Sequence, residues 1–181
     1  MPFERVPELL SRLARLIAAD GYYQGLQPVQ WQALRYLAAA NRFSRTPGGL
    51  TAWLGQTKGS VSQTINTLIR KGLLSRNGDE SDRRVVRLAL TADGEALVQD
   101  HKPVAADILN ALSEKERAIF GDLAEKCLRA NLAVRGRRPF GVCRECRHFE
   151  RSGGDVHRCK LLNVSLSTAD SNLICVEQEA A

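Results

Sequence analysis

Between Thr46 and Gly72 the chain carries two short helical patterns in succession, each with its own start and stop signal. Thr46-Pro47 opens the first: a hydroxyl that can cap, then a proline whose missing N–H is harmless in the first helical position. The pattern runs through Leu50 and Trp53 and stops at Gly55. Thr57 caps the second, in which Val61, Ile65 and Leu68 recur at helical spacing before Lys71-Gly72 ends it. Two short helices joined across a glycine-containing turn are the skeleton of a helix-turn-helix.

The flanking segments complete one architecture. Leu9, Leu10, Leu13, Leu16 and Ile17 form the stripe of an amphipathic first helix ending near Gly21. Gln27-Pro28 opens a second helix, with Trp31, Leu34, Leu37 and Ala38 inward and Asn41 closing it. The paired glycines of the 40–49 stretch predict an irregular start to the third. After the fourth helix, Leu73-Leu74 and the Val85-Val86-Arg-Leu88-Ala-Leu90 run flank a turn-rich tip, which reads as a two-stranded ribbon. A helix then runs from Thr91 to about Leu112, and Ser113-Glu-Lys-Glu116 is a capping box for a last long helix ending near Arg135. There Cys127, beside Leu123 and Leu128, reads as a small buried hydrophobe. The expected fold is mainly α with a small two-stranded antiparallel wing. It occupies residues 1–136, and a small irregular cysteine-rich module occupies 137–181.

Asp82-Arg-Arg84, followed by Leu90-Thr91 and Gly94, resembles the wing signature of the MarR family of regulators. The similarity extends from Leu26-Gln-Pro-Val-Gln-Trp31 through Thr57-Lys-Gly-Ser-Val-Ser-Gln-Thr-Ile-Asn-Thr-Leu68 to Lys71-Gly-Leu-Leu74, covering roughly residues 5–135. The resemblance implies a winged helix-turn-helix that binds duplex DNA. It places Arg84 at the minor groove with Asp82 bracing it, and Arg76, Arg83 and Arg87 near the phosphates. It also implies a homodimer joined through the first and last helices and reading a palindromic operator.

The residues support the same assignment on their own. Opposite the apolar stripe of the Thr57–Lys71 helix stand Ser60, Ser62, Gln63, Asn66 and Thr67, short donors and acceptors suited to base edges and phosphates, with Thr57, Lys58 and Lys71 at its ends. Acidic residues are absent from Trp53 to Asn77, whereas a merely solvated face would more often carry Glu and Lys. The net charge of +6 belongs to the part of the chain before Cys143. From Cys143 onward five basic residues face six acidic ones, and the preceding residues carry 21 basic against 14 acidic.

No run is long and apolar enough for a membrane span, and the first residues lack a signal-peptide profile, so a cytoplasmic protein is expected. In a reducing compartment clustered cysteines point to metal or redox chemistry rather than to disulfides. Cys143-x2-Cys146, Cys159 and Cys175 stand near the C-terminus. One close pair and two dispersed thiols suit an iron-sulfur cluster of the 4Fe-4S type, the preferred reading. Arg144, Arg147, Arg151, Arg158 and Lys160 would offset its negative charge. A structural zinc, with His148 or His157 able to replace a ligand, and a metal-free thiol switch remain open. The apolar residues of the module are too few to hold it together without a staple, and metal binding would then double as folding energy.

The function expected is a dimeric transcriptional regulator whose C-terminal centre senses redox state or iron. Attached through Arg135–Pro139 to the dimerisation helix, the centre would bias the spacing of the two reading heads. The alternative keeps the regulator and makes the module a structural zinc platform for folding or a partner, with any small-molecule effector unspecified. No acid–base pair, Ser-His arrangement or nucleotide-binding glycine loop is placed for catalysis, so no enzyme is expected.

Overall fold

The structure, a computed structural model, describes residues 5–19, 21–79 and 84–180. Helix α1 spans Val6–Ala19, α2 Pro28–Ala39, α3 Pro47–Leu54 and α4 Lys58–Arg70. Strands β1 (Leu74–Gly78) and β2 (Val86–Leu90) follow, then α5 (Ala92–Asp100), α6 (Val104–Asn110) and α7 (Glu114–Val134). The caps read from the sequence are in place. Thr46, Thr57, Thr91 and Ser113 each accept a backbone N–H three residues on, and Gly55 ends α3 in the left-handed region at φ 63°. Helix α3 is regular despite its paired glycines. An added Cβ on Gly49 would lie 2.3 Å from the Ser44 carbonyl oxygen, so the glycine permits a close approach rather than loosening the helix.

One core holds these elements together. Trp31, Leu34, Tyr36 and Leu37 of α2, Leu50 of α3, and Val61, Ile65 and Leu68 of α4 are buried with Leu74 and Leu88 of the wing strands. Each large aliphatic side chain removed from water here contributes roughly 1.5–3 kcal/mol. Burial raises the Tyr36 hydroxyl well above the ordinary phenol range, and it donates to the Ser44 carbonyl at 2.7 Å. Strands β1 and β2 pair antiparallel from Leu74↔Leu90 to Gly78↔Val86, which directs Leu74 and Leu88 inward. Thr91 anchors the base of the wing, donating its hydroxyl to the Gly72 carbonyl at 2.6 Å while accepting the Gly94 amide at 3.1 Å. Gly94 itself lies so close to the Leu73 carbonyl that a Cβ would approach it to 2.2 Å.

Two expectations about the helices need correction. The helix from Thr91 to Leu112 is broken at residues 101–103, because Pro103 has no N–H to continue the ladder and disfavours helix at its predecessor. Cys127 is exposed, as are Leu123 and Leu128 on the same helix, and neither α1 nor α7 has a buried residue within one chain. The stripes are there, but among the described residues of one chain none buries them.

The C-terminal segment is also more ordered than expected. Strand β3 (Gly141–Val142) pairs antiparallel with β7 (Ile174–Cys175). Strands β4 (Phe149–Glu150), β5 (Val156–Cys159) and β6 (Val164–Ser167) form a three-stranded antiparallel sheet, and α8 spans Thr168–Ser171. Strands this short carry too little alternation to be read from sequence. A second, smaller core is built from Cys143, Cys159, Cys175 and Leu166, with Phe43, Phe149 and Val164 against it. Ile174 and Val176 pack on the first core, so the last strand joins the two.

Candidate nucleic-acid interface and cysteine cluster

Helix α4 turns Val61, Thr64, Ile65 and Leu68 into the core and leaves Lys58, Ser60, Ser62, Gln63 and Asn66 exposed, with Thr67 half-buried. Several of these groups are held locally. The Ser60 and Thr57 hydroxyls lie 2.9 Å apart, Arg70 donates to the Thr67 hydroxyl at 3.1 Å, and Arg76 on β1 reaches the Asn66 carboxamide oxygen at 3.5 Å. The last contact ties the helix to the wing. Lys71 donates to the Gly25 carbonyl at 3.2 Å, and Arg84 is exposed at the tip. Asp82 and Arg83 lie outside the described residues. The sequence holds no acidic residue from Gly21 to Gly78, a longer stretch than the helix alone required.

Arg87 is the exception among these basic residues, because its donors are directed inward. Its Nε pairs with Asp79 at 2.7 Å, and Nη1 donates to the carbonyls of Arg42 at 3.1 Å and Phe43 at 2.8 Å. Those carbonyls belong to the loop between α2 and α3, which sequence reasoning passed over. The run Asn41-Arg-Phe-Ser-Arg45 offered one signal: two polar residues flanking a lone Phe just after a helix end. Both Asn41 and Ser44 are 1% exposed.

The four cysteines of the C-terminal segment are brought together. Cys143, Cys159 and Cys175 are buried, and Cys146 is half-buried at the rim. Backbone amides approach the sulfurs: Leu162 N–H donates to Cys159 Sγ at 3.5 Å and Glu179 N–H to Cys146 Sγ at 3.4 Å. The Cys143 thiol donates to Cys175, and this bond, with the Glu177 amide and the Asn41 and Ser44 side chains, lowers the Cys175 pKa to about 6. The same bond, with burial and the neighbouring sulfurs, pushes Cys143 upward. Among the described residues, no group of three or more His, Cys, Asp or Glu side chains is placed to hold a metal ion. His148 faces Glu179 at 3.4 Å, and His157 packs edge-on against Phe149 with its Nδ1 buried and without a hydrogen-bond partner.

A cavity of about 920 Å3 lies where α3, the tip end of the wing and the cysteine segment meet. Phe43, Arg87, Arg137, Phe140 and Cys175 contribute to its wall.

Residues 24–85 match the model of the MarR family. The transcriptional repressor MprA of Escherichia coli K12 is 26% identical over 109 residues, which cover 58% of this chain and 62% of that protein. The chain therefore spans less than two thirds of the curated relatives it matches. Among solved structures, a MarR transcriptional regulator from Methanosarcina mazei superposes with a TM-score of 0.58 at 24% identity, over 72% of this chain and 99% of that one. FabT of Streptococcus pneumoniae in complex with DNA gives 0.56 at 24% identity, over 73% and 99%. Apo MarR of Escherichia coli gives 0.52 at 22% identity, over 71% and 98%. The family match takes in α2, α3, α4 and β1 and stops just short of β2. The chain therefore has the winged helix-turn-helix fold of these MarR-type structures.

Proposed function

We propose that the chain is a DNA-binding transcriptional regulator that works as a homodimer on a two-fold operator. The observation that carries this reading is the exposed face of α4. Serine, glutamine and asparagine side chains stand there beside an arginine-bearing wing, in a stretch free of acidic residues. Such a face can offer hydrogen bonds to base edges in the major groove, while the wing reaches the neighbouring backbone. The FabT complex, which shares this fold, contains DNA. The uncovered stripes of α1 and α7, with Leu9, Leu10, Leu16, Ile119, Phe120 and Leu123 exposed, supply the surface for a second copy. The test is binding to promoter fragments across a salt series. Gln63→Ala and Arg84→Ala together are expected to weaken binding at least tenfold and to flatten its salt dependence, and unchanged binding would refute the reading.

The cysteine cluster extends the proposal. Cys143, Cys159 and Cys175 share one apolar centre with Cys146 at its rim, and the amides of Leu162, Glu179 and Glu177 are directed at three of the four sulfurs. Donors of this kind stabilise sulfur ligands that carry negative charge. An iron-sulfur cluster, a larger object than the single ion for which no three of these side chains are placed, is the reading this donor set favours. When bound, such a group supplies a centre that responds to oxidation and to iron supply. Cys143, Cys146, Cys159 and Cys175 would hold it, Phe43, Leu166 and Val164 would keep water from it, and Arg144, Arg147 and Lys160 would balance its charge. Protein purified without oxygen should be brown, with iron and sulfide bound, and Cys159→Ser should be colourless. One zinc per colourless wild-type chain would replace the cluster with a structural metal.

A further inference from the structure

The loop of residues 41–45 is gripped from two sides. From one side the cysteine segment closes on it: Asn41 N–H donates to the Ile174 carbonyl at 2.9 Å, and Val176 N–H donates to the Ser44 hydroxyl at 3.2 Å. Asn41 and Ser44 side chains also reach the Cys175 sulfur. Arg42 donates to the Ser165 carbonyl at 2.8 Å and pairs with Asp170 at 3.5 Å, and the Phe43 ring packs into the cysteine core.

From the other side the wing holds Arg42, Phe43 and Arg45 of the same loop. Leu88 N–H donates to the Arg45 carbonyl at 2.7 Å, and Arg87 holds the carbonyls of Arg42 and Phe43 while its Nε pairs with Asp79 near the wing tip. The Arg87 guanidinium also lies 5.8 Å from the centre of the Phe43 ring. One residue therefore has its ring among the cysteines and its carbonyl in the grip of the wing. By contrast, α7 reaches the segment through a longer contact, the Arg129 guanidinium to Gln178 at 3.4 Å.

We infer that Arg87 is a positioning residue that couples the cysteine cluster to the DNA-reading wing through Phe43, rather than a phosphate contact. The inference rests on the regulator reading of the wing. A guanidinium suits this work because its fork can satisfy a carboxylate and two carbonyls at once, which an ammonium on a flexible stem does not do in one geometry. A change that shifts Cys175 or Phe43 moves the carbonyls that Arg87 holds, and the wing strand moves with them. The path from the cluster to DNA is then short and passes through the α2–α3 loop, instead of through the 135–139 linker and the dimer helices.

Hydrogen exchange of the full chain tests this without DNA. Cys175→Ser should speed amide exchange in Leu74–Gly78 and Val86–Leu90 about fivefold. Arg87→Gln should speed it on its own, and Cys175→Ser added to Arg87→Gln should change the wing less than twofold further, because the shared route is already cut. Wing exchange that ignores Cys175→Ser, or rates that multiply independently in the double variant, would overturn the inference. If Cys175→Ser melts the segment, Ser44→Ala, which deletes only the hydroxyl between loop and strand, takes its place with the same two outcomes.

A second measurement separates positioning from contact. On promoter DNA, Arg87→Gln should weaken binding about tenfold with the slope of log affinity against log salt unchanged. Loss of one unit of slope would mean a phosphate contact and end the proposal. Arg87→Lys should recover little. Failure of wild-type protein to bind DNA at all would instead refute the regulator reading, leaving the exchange result to stand or fall by itself.

Discussion

The Ser44 hydroxyl accepts the backbone N–H of Val176 at 3.2 Å, joining residues 132 positions apart. The same residue gives its carbonyl to the Tyr36 hydroxyl. Ser44→Ala leaves a half-buried amide without its acceptor and should destabilise the chain by roughly 1 kcal/mol, the low end of the cost of an unsatisfied buried donor. Urea unfolding followed by circular dichroism checks this. A change below about 0.5 kcal/mol, the usual range for a surface substitution, would mean that strand and loop are only loosely joined.

Gly49 and Gly94 should not tolerate a methyl group. Their added Cβ atoms would lie 2.3 Å and 2.2 Å from the backbone oxygens of Ser44 and Leu73. Overpacking against backbone costs roughly 1–3 kcal/mol. Gly49→Ala should lower the thermal midpoint by several degrees, whereas Gly121→Ala, with open space around it, should leave it unchanged or raised.

The uncovered helix faces predict an association that can be broken without unfolding. Leu123 and Leu128 are 56% and 46% exposed in one chain. Leu123→Lys with Leu128→Lys should convert a dimer into a monomer by light scattering, with helix content preserved. A wild-type monomer at micromolar concentration would contradict the homodimer.

The start of α7 should carry a measurable pH signature. Glu116 accepts the Ser113 hydroxyl and amide at 2.6 and 2.9 Å, and these bonds hold its pKa below the ordinary 4.5. A carboxylate whose pKa falls on folding stabilises the folded state above its unfolded pKa, and that contribution fades as pH drops through the folded one. The thermal midpoint of Glu116→Gln should therefore lie below wild type at neutral pH and converge with it in acid.

Lys58, exposed at the first position of α4, should contribute through charge alone. Lys58→Ala should weaken all DNA sequences alike and reduce the salt slope by about 1. A sequence-selective effect would show that it reads bases.

The reading lobe was readable from sequence because its signals are local. Thr46, Thr57 and Gly55 act within a few residues, and the stripe of α4 has one period throughout. The break at Pro103 was equally local and was missed because the apolar spacing continues across it. The cysteine segment is different. Its strands have two to four residues, and their register depends on Cys175 meeting Asn41 and Ser44, partners that no periodicity connects. Arg87 illustrates the same limit: an arginine on a wing strand looks like a DNA contact until the carbonyls it holds are seen.

Strand β7 pairs with β3 while Ile174 also bridges Ala40 and packs on the main core. The helix-turn-helix and the thiol-bearing segment are thus stitched by a shared thread and do not hang from a flexible tether. Cutting the chain after residue 136 would leave an open seam along Ala40, Asn41 and Ser44, so the shortened protein should be a poor surrogate for the reading lobe that operates in the whole molecule.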